Sequence, residues 1–353
     1  MIDDLRPITN PHSLIPMQTT RRQFLRIMGL SAAGLAAWQV GIRPRLAGLA
    51  EVSVSRVLMG TVVNLTVVGE DEAGAQTAVS ATLNHMSQLE AILSRHQSTS
   101  QLSTLNRTGK LEQPSRHLVA VLQQAQAISA LSGGAFDVTV KPLVDLYQAA
   151  QARGELPSAT AVTTTLPLVN YQNLNISHTK IAFSQPGMSV TVDGIGKGYI
   201  VDEGTAVLRA HGFANILVEA GGDLLAAGKK DQATNWQIGI QSPRENGKHL
   251  LAKFGVENQA VATSGDYQQA YSADYRQHHI LDPRTGYSAP DLASATIVAD
   301  SAMMADGLAT AVMVMPSKEA IALLEQTAGC AGYLVTKDAQ IMQTGGFHAE
   351  QLS

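Results

Sequence analysis

Apolar residues at Val79, Leu83, Met86, Leu89, Ile92 and Leu93 keep the three-and-four spacing of a helix and predict one from Ala73 to Leu93. A second is predicted from about Ser115 to Leu131, ended by Gly133 and Gly134, since glycine takes the left-handed backbone on which helices stop. Ahead of both, Val52 to Val68 is dense in β-branched residues around Met59-Gly60-Thr61 and predicts a strand pair turning at the glycine. Pro157 to Tyr171 reads as a connecting excursion. Lys180 to Ala182 and Ser189 to Val192 predict a hairpin whose exit is Asp193-Gly-Ile-Gly-Lys-Gly198, followed by a helix from Tyr199 to His211. From Asn215 onward short β-rich runs alternate with glycine turns: Ile216 to Val218, Leu224 to Ala227, Trp236 to Gln241, Ala260 to Thr263 and Ala295 to Val298. Helices return at about Ser301 to Met313 and Ser317 to Thr327, and a closing hairpin spans Gly332 to Met342. This order is neither a regular βαβ alternation nor all-β. It predicts an α+β fold, with mostly antiparallel sheets and packed helices in one compact domain.

The first fifty residues follow a different pattern. Arg21 and Arg22, followed by Phe24 and Leu25, precede an apolar run from Ile27 to Val40, then Arg43-Pro44-Arg45 and the small-residue stretch Ala47 to Ala50. A charged region, an apolar region and a cleavage-like site in that order predict a twin-arginine signal over residues 1–50, a domain over 51–353 and a periplasmic location. The run is shorter than the roughly 20 residues that span a bilayer, so membrane contact is expected only through the signal segment or a partner. Setting residues 1–50 aside removes six Lys/Arg and two acids, leaving 19 basic against 27 acidic residues and a net charge of about −8. That balance argues against nucleic acid as a partner. With 45% apolar and 15% charged residues, the 353-residue chain can bury a large core, and its single cysteine, Cys330, excludes an internal disulfide and a Cys-based zinc site.

Six segments carry candidate chemistry: Ser132 to Asp137, Asp193 to Gly198, Gly221-Gly-Asp223, Thr263 to Tyr267, His278 to Gly286, and Asp306 to Thr310. Asp193-Gly-Ile-Gly-Lys-Gly198 before a helix turns backbone N–H groups toward one spot, where Lys197 adds a positive charge and a pyrophosphate is the natural occupant. A tight turn in which glycines permit close packing explains the same residues. Asp306 and Thr310, four apart, present a carboxylate and a hydroxyl on one helix face, which suits a hard cation such as Mg²⁺ or Mn²⁺. Taken alone, an Asp near a helix start and a Thr bonded to its own backbone are the simpler reading. His278 and His279 point to opposite faces in an extended segment, so one of them is a candidate proton acceptor and they do not share a metal. Asp137 and Asp266 follow glycines and also suit turns, and Phe136 is more often a core residue than a ligand contact.

Taken together in this order, from Met59-Gly-Thr61 to Thr310, the segments resemble the ApbE family of FAD:protein FMN transferases over nearly the whole chain after the signal. The resemblance implies a T-fold-like domain and Mg²⁺-dependent transfer of FMN from FAD to a Thr or Ser hydroxyl of another protein, with AMP released. It implies that Met59, His96, Ala135, Phe136, Asp137, Asp193 and Lys197 lie at the flavin nucleotide, and that Asp306, Thr310 and the Gly194 carbonyl hold the metal. Lys197, His279 and Asp266 are the candidate catalytic residues. The partner implied is a flavoprotein subunit of a respiratory or electron-transfer complex. His96 stands where the family commonly has an aromatic residue, and Gln101 replaces a frequent Glu. FAD hydrolysis to FMN and AMP, and FAD carriage without turnover, are the alternatives.

Overall fold

A computed structural model describes residues 39–44, 48–231, 233–244 and 249–352. In chain order its first elements are β1 (Gln39–Pro44), β2 (Ala50–Leu58), β3 (Thr61–Gly69), α1 (Glu72–Leu93), α2 (Gln101–Thr108), β4 (Lys110–Glu112) and α3 (Arg116–Leu131). Next come α4 (Lys141–Gln151), α5 (Ala159–Thr165), β5 (Leu174–Ile176), β6 (Lys180–Phe183), α6 (Gly196–Ala210), β7 (Asn215–Ala220) and β8 (Asp223–Ala227). The chain closes with β9 (Trp236–Gln241), β10 (Leu250–Val256), β11 (Gln259–Gly265), β12 (Leu292–Ala299), α7 (Ala302–Val314), α8 (Ser317–Gln326), β13 (Ala331–Thr336), β14 (Ile341–Gln343) and β15 (Glu350–Gln351).

Nine strands form one sheet in the order β1-β2-β3-β7-β8-β11-β12-β13-β14, every neighbouring pair antiparallel. Its two faces are covered differently. On one side α1, α6 and α7 pack over the sheet, and residues such as Leu65, Met86, Ile200, Val218, Ile297 and Leu308 fill the space between. The other face meets the small sheet β15-β10-β9 through Trp236, Phe254, Tyr333 and Phe347. The two layers explain β12, whose eight residues are all buried because neither of its faces meets water. They also explain why α7 is apolar almost all round. The α+β reading of the sequence is correct, and the structure is a single domain.

Local chemistry sets the helix starts. Asp71 accepts from Gly74 N–H ahead of α1, Ser100 from Ser103 N–H ahead of α2, and Ser301 from Met304 N–H ahead of α7. Helix α7 has a second cap from outside its own segment, since Asp202 of α6 accepts from Ala302 N–H at 2.7 Å and Met303 N–H at 2.9 Å. Asp202 thereby ties together the two helices that carry the site.

Several sequence expectations need correction. Ser189 to Val192 forms no hairpin with β6, which pairs instead with β4 and β5. The backbone of Val190 finds its partner in a side chain: Asn106 Nδ2 donates to Val190 O at 2.8 Å and Asn106 Oδ1 accepts from Val190 N at 2.7 Å. Helix α6 begins at Gly196 rather than Tyr199, so Lys197 belongs to its first turn. Helices α2, α4 and α5 are not among those predicted: α5 lies in the stretch read as a connecting excursion, and polar side chains outnumber the apolar ones in α2 and α5. Of the segment read as an export signal, residues 39–44 form the edge strand β1, running from Gln39↔Ser55 to Pro44↔Ala50. Arg21, Arg22 and residues 27–38 lie outside the described residues. Among the described residues, no helix is long and apolar enough to cross a membrane.

Candidate active site

Helices α6 and α7 touch at a glycine. A β-carbon on Gly198 would lie 2.1 Å from Ala302 O, so the first turn of α6 rests directly on the backbone that opens α7. This approach brings Lys197 of α6 opposite Asp306 of α7. Gly198 N–H donates to Asp306 Oδ2 at 3.0 Å, and Lys197 Nζ lies 3.9 Å from Asp306 Oδ1. The ammonium also forms a close ion pair with Asp223 at the start of β8.

Asp223 is 1% exposed and Asp306 3%, so two buried carboxylates share one lysine. Burial pushes both acids up from the ordinary carboxylate range, and Asp223 adds its repulsion at Asp306. For Lys197, burial works against the ammonium, but Asp223 and Asp306 outweigh it and push its pKa up. The centre is therefore short of positive charge.

The donors beside it suit a hard cation. Thr310 Oγ1 lies 3.3 Å from Ser264 Oγ of β11, and a β-carbon on Gly194 would stand 2.7 Å from Thr310 Oγ1. Glycine at 194 thus lets the peptide backbone reach the hydroxyl, as a carbonyl ligand beside Thr310 and Asp306 requires. Among the described residues, no group of three His, Cys, Asp or Glu side chains gathers as a metal site. An ion here would be held by a mixed set of carboxylate, hydroxyl and carbonyl oxygens, which is the chemistry of Mg²⁺ or Mn²⁺.

Met59 and Gly60, with φ of 54° and 72°, make the two-residue turn between β2 and β3. Beside that turn, a β-carbon on Gly221 would meet Thr61 Oγ1 at 2.5 Å, which places the Met59 hairpin against the turn that delivers Asp223. Among the described residues, the buried Thr61 hydroxyl has no hydrogen-bond partner. Asp193 is exposed and paired with Arg95, Nε to Oδ2 at 2.7 Å, and exposed His96 follows that arginine.

Ala135 and Phe136 are 1% and 4% exposed and belong to the main core. Phe136 is thus the core residue that its type suggests. Asp137 is occupied within the protein, accepting from Thr139 N–H at 2.7 Å, Thr139 Oγ1 at 2.6 Å and Tyr171 N–H at 2.7 Å. Its carboxylate caps a short 3₁₀ turn and ties it to the 171 segment, and does not stand open to a ligand.

The expectation that Asp266 is catalytic meets a similar finding. Asp266 is 0% exposed and both its oxygens are taken by Arg244, Nη1 at 2.8 Å and Nη2 at 3.0 Å, with Lys337 Nζ 3.9 Å away. A carboxylate gripped on both oxygens is a poor proton acceptor. His278 is buried, with Nε2 2.9 Å from Ala289 O. His279 is half-buried, with Nδ1 3.3 Å from Gln269 O. Burial pushes both imidazoles down to about 4. The two histidines have separate surroundings, as their adjacency implies. Arg95, Arg244 and Lys337 escaped the sequence reading because none of them belongs to the segments that carry candidate chemistry.

An α+β scaffold in which α6 holds a lysine, α7 a buried carboxylate and a hydroxyl, and β8 a second buried carboxylate has the groups that a phosphate-bearing ligand and a hard cation require. Residues 59–334 match the model of the ApbE family, and the chain belongs to that family. A relative from Treponema pallidum, named FAD:protein FMN transferase, is 28% identical over 317 residues, covering 84% of this chain and 87% of the relative. One of the same name from Haemophilus influenzae is 30% identical over 305 residues, covering 81% and 86%. The solved structure of the flavin transferase ApbE from Vibrio cholerae superposes with a TM-score of 0.73 at 27% identity, over 84% of this chain and 98% of that one.

Proposed function

We propose that this protein is an FAD:protein FMN transferase that moves FMN from FAD to a Thr or Ser hydroxyl of an exported electron-transfer flavoprotein. The observation that carries the reading is the Lys197–Asp223–Asp306 centre with Thr310 and Gly194 beside it. The names of the family relatives support the flavin chemistry. In the reaction the acceptor oxygen bonds to the phosphorus on the FMN side of FAD, the bridging P–O bond breaks, and AMP leaves with the bond's electron pair.

Each residue has a defined task. Lys197 sets a positive charge against the pyrophosphate oxygens, where charge builds as the bridge breaks. Asp223 holds that ammonium at the base of the site. His279 is neutral at pH 7 because burial keeps its pKa near 4. In the tautomer with Nδ1–H donating to Gln269 O, Nε2 is the nitrogen that takes the acceptor hydroxyl's proton. Asp306, Thr310 and the Gly194 carbonyl would hold Mg²⁺ or Mn²⁺, which when bound would supply further charge neutralisation at the pyrophosphate. Met59, at its left-handed turn, together with Asp193 and His96, faces the nucleotide.

The paired Arg21 and Arg22 ahead of an apolar run support work in the periplasm, on a subunit of a respiratory or electron-transfer complex. The test is incubation with FAD, Mg²⁺ and a flavoprotein domain bearing an acceptor threonine, followed by in-gel fluorescence and intact mass. The proposal expects covalent FMN that disappears with Asp306→Ala. Free FMN and AMP without labelling would replace it with an FAD pyrophosphatase, and bound, unchanged FAD with a carrier.

A further inference from the structure

The segment between β11 and β12, residues 266–291, carries His279 away from the sheet and back. Two cations from distant parts of the chain hold it, and both converge on one buried anion. Arg244, just after β9, grips Asp266 through two parallel hydrogen bonds of 2.8 and 3.0 Å. Its guanidinium also lies over the Tyr275 ring, 4.4 Å from the centroid. Lys337, just after β13, stands 3.9 Å from the same carboxylate and donates to Tyr275 O and Ala289 O, both at 3.0 Å. Ala289 O is shared with His278 Nε2 at 2.9 Å, and Ser288 Oγ bonds both N and O of His278 at 2.9 and 2.8 Å. His279 follows next in the chain, with its N–H on Gln269 O at 3.0 Å.

We infer that Asp266 is a positioning residue, the anion of an Arg244–Asp266–Lys337 clamp that fixes the outgoing and returning arms of the 266–291 segment and so sets His279 in place. The inference rests on the transferase reading for the role of His279, but the clamp itself is tested apart from it. Asp266 is fully buried and each of its oxygens accepts from Arg244, so it is turned into the protein and not toward a substrate. What it controls is where two cations sit. Without its charge, Arg244 and Lys337 would face each other without their shared counterion, and the contacts to Tyr275 and Ala289 would loosen together.

The arrangement predicts coupling. Arg244→Gln and Asp266→Asn each remove the same paired hydrogen bonds, so the double variant should be little worse than either single one. Arg244→Lys, which keeps the charge and loses the fork, should fall between wild type and Arg244→Gln.

Two measurements test the inference on the full chain. Hydrogen exchange followed by mass spectrometry should show faster exchange over residues 267–289 in Arg244→Gln and Asp266→Asn, with α1 and α7 unchanged. Transfer kinetics on the same proteins should show kcat lowered at least tenfold and KM for FAD changed less than twofold, because Lys197 and the metal donors are untouched. If Asp266→Asn does not fold, Arg244→Gln, Arg244→Lys and Lys337→Met carry the test with Asp266 intact. Unchanged exchange in the segment would overturn the clamp whether or not the protein transfers flavin. A tenfold loss in Asp266→Asn beside full activity in both Arg244→Gln and Lys337→Met would instead make Asp266 a direct participant.

Discussion

Substituting alanine for Gly198 probes the contact on which the site is built. The new β-carbon would lie 2.1 Å from Ala302 O, 2.5 Å from Ala302 C and 2.7 Å from Met303 N. Ordinary contact begins near 3.4 Å, so the helices would have to part by roughly 1 Å. No flexible side chain can yield, because the obstructing atoms are backbone and Asp202 pins both Ala302 N–H and Met303 N–H. Overpacking of this kind costs about 1–3 kcal/mol, and a backbone obstacle places it at the upper end. Alanine's better helix propensity returns about 1 kcal/mol, so the expected net loss is about 2 kcal/mol. The catalytic effect should be larger, since Gly198 N–H bonds Asp306 and a displacement near 1 Å at reacting groups can cost on the order of 100-fold in rate. Urea unfolding followed by far-UV circular dichroism would report the stability, and FMN transfer to an acceptor domain the rate. Gly345→Ala is the control, because its β-carbon meets nothing within 4 Å. A Gly198→Ala protein matching wild type in both midpoint and rate would refute the packing argument.

Three further outcomes are expected. Mg²⁺ at about 100 times its dissociation constant should stabilise wild type by about 2.7 kcal/mol, and the thermal midpoint of Asp306→Asn should not respond. For His278 the folded pKa, about 4, lies below the ordinary 6.5. Between those values the unfolded chain binds a proton that the folded one does not, so stability falls as pH drops from about 6.5 to about 4. His278→Gln, compared with wild type by urea titration across that range, should lose a dependence on the order of 3 kcal/mol; identical slopes would show that His278 titrates normally in the folded protein. Asn106→Ala strips both backbone partners from Val190 and should destabilise by about 1–3 kcal/mol, whereas Asn106→Asp keeps the acceptor and should recover part of that loss.

Periodicity along the chain was enough for the helices that bury a stripe and the strands that bury a face. Helix α1 is the clear case: its buried residues Val79, Leu83, Met86, Leu89 and Leu93 are the positions that predict it. The α+β class, the glycine-bounded turns and the family segments were legible for the same reason, since each is a local pattern of residue types. Asp306 and Thr310 fell on one helix face by spacing alone. Helices α2 and α5 were hidden because most of their residues are polar, and their stability comes from neighbours as well as from their own pattern.

The partners of the charged groups were decided only by the tertiary structure. Nothing near Asp266 in sequence announces Arg244 or Lys337, nothing near Lys197 shows that Asp223 shares its ammonium with Asp306, and Arg95 reaches Asp193 across almost a hundred residues. Spacing along a chain fixes which side chains share a face. The strength of a charge pair depends on distance through space and on burial, and both are set when the nine-stranded sheet brings strands from distant parts of the chain side by side.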